Sequence, residues 1–95
     1  MTRPSTSVPF YLDSIPDVKN EFIDFINQNG EYFSHYEVTY DTTNTIQIQN
    51  VIYHSKDLYD AFMISFNIRF PAFFQDRETY NLANNIILDR TEGPA

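Results

Sequence analysis

Hydrophobic and polar positions alternate most regularly between Phe62 and Phe70, where Phe62, Ile64, Phe66, Ile68 and Phe70 are separated by Met63, Ser65, Asn67 and Arg69. A period of two belongs to a strand with one buried face, whereas a helix would scatter those five residues around its circumference. The pattern predicts the central or second-most-central strand of a small sheet, with flanking segments covering its apolar side. A helix from Leu58 through Phe66 is the rival reading, because Leu58, Ala61, Phe62, Ser65 and Phe66 also fit one helical face.

The same period recurs between Glu31 and Tyr53, which reads as a hairpin. Tyr36, Val38 and Tyr40 alternate with His35, Glu37, Thr39 and Asp41, and Ile46, Ile48 and Ile52 alternate with Gln47, Gln49, Val51 and Tyr53. Opposed residues share a face, so even positions must pair with even ones to keep both apolar sets together. A loop of Thr42, Thr43 and Asn44, with Asp41 opposite Thr45, meets that condition and places Asn44 at a left-handed position. In the same register Ile52 faces Ile64 and Ile48 faces Ile68, extending one apolar face over three strands. Ser55 then caps a single helical turn that leads into the third strand.

Two segments have helical spacing. Ser14 is a good N-cap, Pro16 suits the first turn, and Asn29-Gly30 predicts a left-handed exit. Between them Val18, Phe22, Phe25 and Ile26 share a face with Ile15 alongside. Pro71 ends the third strand, Ala72 to Phe74 form an apolar link, and Asp76 starts a second helix through about Asp89, with Tyr80, Ala83, Ile86 and Ile87 inward. The expected fold is α+β, in the order α-β-β-β-α: a small antiparallel three-stranded sheet with one face covered by two helices. Residues 1–12 form an extended arm whose Val8, Phe10, Tyr11 and Leu12 must dock, residues 13–90 a single domain, and residues 91–95 a polar tail.

Composition narrows the function. Ninety-five residues make one domain, and 42% hydrophobic with 17% aromatic content requires a packed core. There is no cysteine, which removes disulfides, zinc-thiolate sites and thiol nucleophiles together, and no apolar run long enough to cross a bilayer. A cytoplasmic, intracellular protein without membrane contact is expected. The net charge of -7 is concentrated in residues 11–60, where the acids face only Lys19 and Lys56. Such a surface repels phosphates, so direct nucleic-acid binding is not expected and a basic protein partner is the natural complement.

No catalytic, metal or cofactor set emerges. His35 and Glu37 have the spacing of a ligand pair on one strand face, with Asp41 beyond, but no third ligand converges on them. His54, Ser55 and Asp57 are hydrolase residue types, yet neighbours on a turn cannot act as nucleophile and base. Asp57 and Asp60 lack a pocket that would set their acidities apart. There is no glycine-rich phosphate loop, since the chain has two glycines.

Two features point to partners. Asp13, Asp17, Glu21 and Asp24 follow one another at spacings of three or four along the outer side of the first helix, about 6 Å apart for a rise of 1.5 Å per residue. Nine phenylalanines and seven tyrosines exceed what one small core can hold, and Phe10, Tyr11, Phe33, Tyr59, Phe73 and Phe74 are the candidates for an apolar docking patch. The leading expectation is a non-catalytic interaction or assembly subunit, docking on copies of itself or on another protein. The alternative is an acidic inhibitor whose helical stripe imitates a phosphate backbone in the cleft of a DNA- or RNA-binding protein.

Overall fold

The computed structural model describes residues 1–93; residues 94 and 95, the end of the expected tail, lie outside them. After a 3-10 turn (Tyr11–Ser14) come helix α1 (Pro16–Gln28), a second 3-10 turn (Gly30–Tyr32), strands β1 (Phe33–Tyr40) and β2 (Gln47–Tyr53), and helices α2 (Lys56–Arg69) and α3 (Phe73–Ala83). The fold is mixed α+β, but its one sheet has two antiparallel strands and three α-helices accompany it. The three-stranded sheet roofed by two helices is thereby overturned.

Phe62 to Arg69 belong to α2, not to a central strand, and Phe70 is its C-cap. Ser55 Oγ accepts from the Leu58 N–H at 3.1 Å, the expected cap, yet the helix runs on to Arg69 instead of ending after one turn. Phe62, Phe66 and Phe70 recur every fourth residue and bury together with Phe73, Phe66 being only 3% exposed. Ile64 and Ile68 stand two residues further on, about 200° around a helix that turns 100° per residue, and are 64% and 78% exposed. A phenyl ring removes more surface from water than an isoleucine, so the four-residue period of the rings prevails over the two-residue period of rings and isoleucines combined.

The hairpin exists, in a different register. Tyr36 pairs with Val51, Val38 with Gln49 and Tyr40 with Gln47, so even positions face odd ones. The Asp41 N–H donates to the Ile46 carbonyl at 3.0 Å, and Thr45 joins Thr42, Thr43 and Asn44 in the loop. Asn44 holds the expected left-handed conformation, at φ 57°. The cause lies at the far end of the strands, where Phe33 pairs with Tyr53 but His35 pairs with Ile52, leaving Ser34 as the extra residue of a bulge. Phe33 and Tyr53 both pack on Phe62, at ring distances of 4.9 and 5.7 Å. That contact turns the odd residues of β2 inward, and the bulge rephases β1 so that Tyr36, 5.5 Å from the Phe33 ring, faces the same side. Ile48 and Ile52 are left outside with His35, Glu37 and Thr39.

Helix ends also depart from expectation. Ile15, not Ser14, is the N-cap of α1, and Ser14 Oγ donates instead to the Tyr11 carbonyl at 2.5 Å. Gly30 has no left-handed backbone; Asn29 closes the helix, its Nδ2 donating to the Phe25 carbonyl at 2.7 Å. Phe73 and Phe74 are the first turn of α3 rather than a link, and α3 ends at Ala83 instead of near Asp89. Asn85, at φ 57°, turns the chain away, so Ile86 and Ile87 leave the helical face predicted for them. Ile87 exchanges two 2.8 Å backbone hydrogen bonds with Thr2, while the Gln47 N–H donates to the Met1 carbonyl at 2.8 Å. The first residues thus dock between the start of β2 and Ile87. The main core comprises Ile26, Phe33, Phe62, Phe66, Phe70 and Phe73, with Phe22 and Phe25 of α1 laid against it.

Candidate protein-interaction surface

Asp17, Glu21 and Asp24 are exposed on α1, while Asp13 lies ahead of it in the 3-10 turn and is only partly exposed, so the expected stripe is shorter than four residues and is not a bare row of charges. Lys19 Nζ hydrogen-bonds Asp13 Oδ1, and this bond is the main reason the lysine pKa is raised above its ordinary value. Arg69, at the end of α2, reaches Glu21 Oε2 at 3.2 Å. Asp17 and Asp24 are exposed, with no ion pair among the described residues. Cations of the chain itself therefore answer two of the four carboxylates.

The aromatic candidates have largely gone inside. Phe10 is 1% exposed, lying 6.0 Å from the Tyr40 ring with the Arg3 guanidinium 4.5 Å over its face. Phe73 stacks on Phe22 at 5.5 Å, and Tyr11 meets the edge of Phe73 at 5.6 Å. Phe33 is buried on Phe62; Tyr59 and Phe74 are half-buried, on Tyr53 at 4.9 Å and Phe66 at 5.5 Å. Aromatic rings stack on one another efficiently, which is how so small a core accommodates them.

The apolar groups that do stand in water are mostly aliphatic. They include Ile64 and Ile68 on α2, Ile48 and Ile52 on the outer face of the hairpin, Ile23 on α1, Ile46 before β2, and Leu82, Ile87 and Leu88 near the end of the described chain. On the inner face Tyr36, Val38 and Tyr40 of β1 are 37%, 38% and 42% exposed. Beside them, between α1 and β1, runs an open depression of about 300 Å³ lined by Ile26, Asn27, Gly30 and the segment Phe33 to Tyr36. A smaller hollow of about 90 Å³ continues it along Phe22, Ile23 and Asn27.

The residues weighed for chemistry stay apart. His35 Nε2 and Glu37 Oε2 are 2.9 Å apart in solvent, and no third His, Asp or Glu joins them among the described residues. Asp60 takes the Lys56 ammonium at 2.8 Å on an exposed turn of α2. No helix among the described residues is long and apolar enough to cross a membrane.

A sequence signal for the exposed isoleucines was available. Between Phe62 and Phe70 the rings keep one four-residue phase and the isoleucines another, so a helical reading separates an inner row from an outer one. Comparison with protein-family models, curated proteins and solved structures finds no match to the chain.

Proposed function

We propose that the protein is a non-catalytic interaction or assembly subunit, docking on copies of itself or on another protein. The observation that carries this reading is the set of aliphatic side chains held in water on otherwise well-packed elements, above all Ile64 and Ile68 at 64% and 78% exposure. Ile64 and Ile68 lie one turn apart on the same face of α2, and contiguous exposed apolar surface of this kind marks a contact site. The aliphatic groups, rather than Phe10, Phe33 and Phe73, are the docking groups in this reading, because those rings already bury one another. The ion pairs at Asp13 and Glu21 weaken imitation of a phosphate backbone, since a stripe partly neutralised by its own chain has less to offer a basic cleft. The absence of cysteine supports a cytoplasmic setting.

Light scattering on the purified chain at a low and a high concentration tests the proposal. The expected mass exceeds that of one chain and rises with concentration. Replacing both Ile64 and Ile68 by serine should lower the association while leaving the fold intact. A single-chain mass at every concentration counts against the reading.

A further inference from the structure

Among the described residues β1 has a neighbour on one side only. The Asp41 N–H donates into β2, and so by the alternation of an antiparallel ladder do those of Thr39, Glu37 and His35. On β2, Gln47 turns its N–H the other way, to Met1, which fixes the same phase independently. The backbone groups of Tyr36, Val38 and Tyr40 therefore point outward along the free edge of β1, and among the described residues nothing bonds them. Edges of this length are usually blunted by lysine, proline or an inward-pointing charge, and β1 has none of these on its outward-bonding residues.

The strand is complementary to itself in one register. Centred on Val38, an antiparallel copy sets Tyr36 against Tyr40, Glu37 against Thr39 and His35 against Asp41, with no like charges opposed. Sliding by two residues sets Glu37 against either Glu37 or Asp41 of the other copy, which repel. A register centred on Tyr36 draws in the bulged Ser34, whose backbone no longer follows the ladder. In the Val38 register both copies turn their half-exposed tyrosines to the same side, and Tyr40 of the second copy lies beside Tyr36 at the mouth of the depression of about 300 Å³. Resting on the assembly reading, we infer that β1 pairs edge to edge with β1 of a second copy, antiparallel about Val38, joining two hairpins into one continuous sheet across a two-fold axis.

The cysteine-free 95-residue chain offers a direct experiment. In Val38→Cys the two thiols face each other across the axis at the Cα separation of a bonded antiparallel pair, about 5.5 Å, within the span of a disulfide. Under mild oxidation this variant should form a covalent dimer at least about tenfold faster than Gln75→Cys, an exposed position on α3 outside both the strand edge and the isoleucine row, because pairing makes the reaction effectively intramolecular. Val38→Lys sets two ammonium groups together on the axis and should lower the associated mass at fixed concentration with the circular dichroism unchanged. Should the chain associate while Val38→Cys stays reduced and Val38→Lys has no effect, edge pairing is overturned and the assembly reading stands. A chain that is single at every concentration overturns both.

Discussion

Phe66 is the residue on which the interior turns. Its ring meets Phe62, Phe70 and Phe73 at 5.9, 5.3 and 5.2 Å, so it joins successive turns of α2 to α3. Phe66→Ala should cost about 3–5 kcal/mol in urea unfolding, the usual loss for a buried ring. Ile68→Ala should stay within about 0.5 kcal/mol, as at exposed sites generally. Comparable losses at the two positions would restore the alternating strand and refute the helix. Tyr53 tests the opposite end of the core. Burial first, and then the nearby Tyr59 and Tyr36 hydroxyls, push its pKa from 10.0 up to about 12. The folded chain therefore keeps a proton that the unfolded chain gives up, so this contribution is complete below pH 10.0 and is lost as pH rises towards about 12. Tyr53→Phe has no proton to lose, and its thermal midpoint should fall less than that of the wild type between about pH 9 and pH 11.

At the scale of elements, the sequence marks a boundary where a side chain acts on its own backbone, as at Ser55, and misses it where packing decides, as at Ser14 and Asp76. Ser55 caps α2 because its hydroxyl can reach the Leu58 N–H, and Ser55→Ala should cost about 1 kcal/mol, read from the urea midpoint at unchanged slope. Pro16 at the head of α1 and Asn44 at left-handed φ in the hairpin loop were legible for the same reason, since each acts through its own backbone. The path of Phe62 to Phe70 was not, because a run in which both period two and period four are satisfied by apolar residues is decided by what packs against it. Here the deciding partners, Phe22 and Phe25, lie some forty residues earlier in the chain. The strand register failed through a distant cause as well, the Phe33–Tyr53 pair on Phe62. Of the expected acidic stripe, Asp17, Glu21 and Asp24 are on α1 and Asp13 is in the turn before it, and the partial neutralisation by Arg69 depends on where α2 crosses α1. The exposed isoleucines were hidden by the strand reading, which had turned them inward.

For the whole molecule, a net charge of -7 sets the conditions of assembly. Two copies repel at low ionic strength over a range of about 10 Å in 0.1 M salt, and added salt shortens that range. Self-association should therefore tighten from low to moderate sodium chloride, measured by sedimentation at fixed protein concentration, and a steep weakening would point to a cationic partner instead. The bulge has its own consequence for how copies meet. Ser34 is a spare link: Phe33 and His35 already pair with the consecutive residues Tyr53 and Ile52, so the ladder would close without it. Deleting Ser34 would leave every inward side chain where it is and would straighten the margin of the hairpin. A kink that now confines pairing to one short stretch would be gone, and the longer edge would accept several antiparallel alignments in place of the single one about Val38.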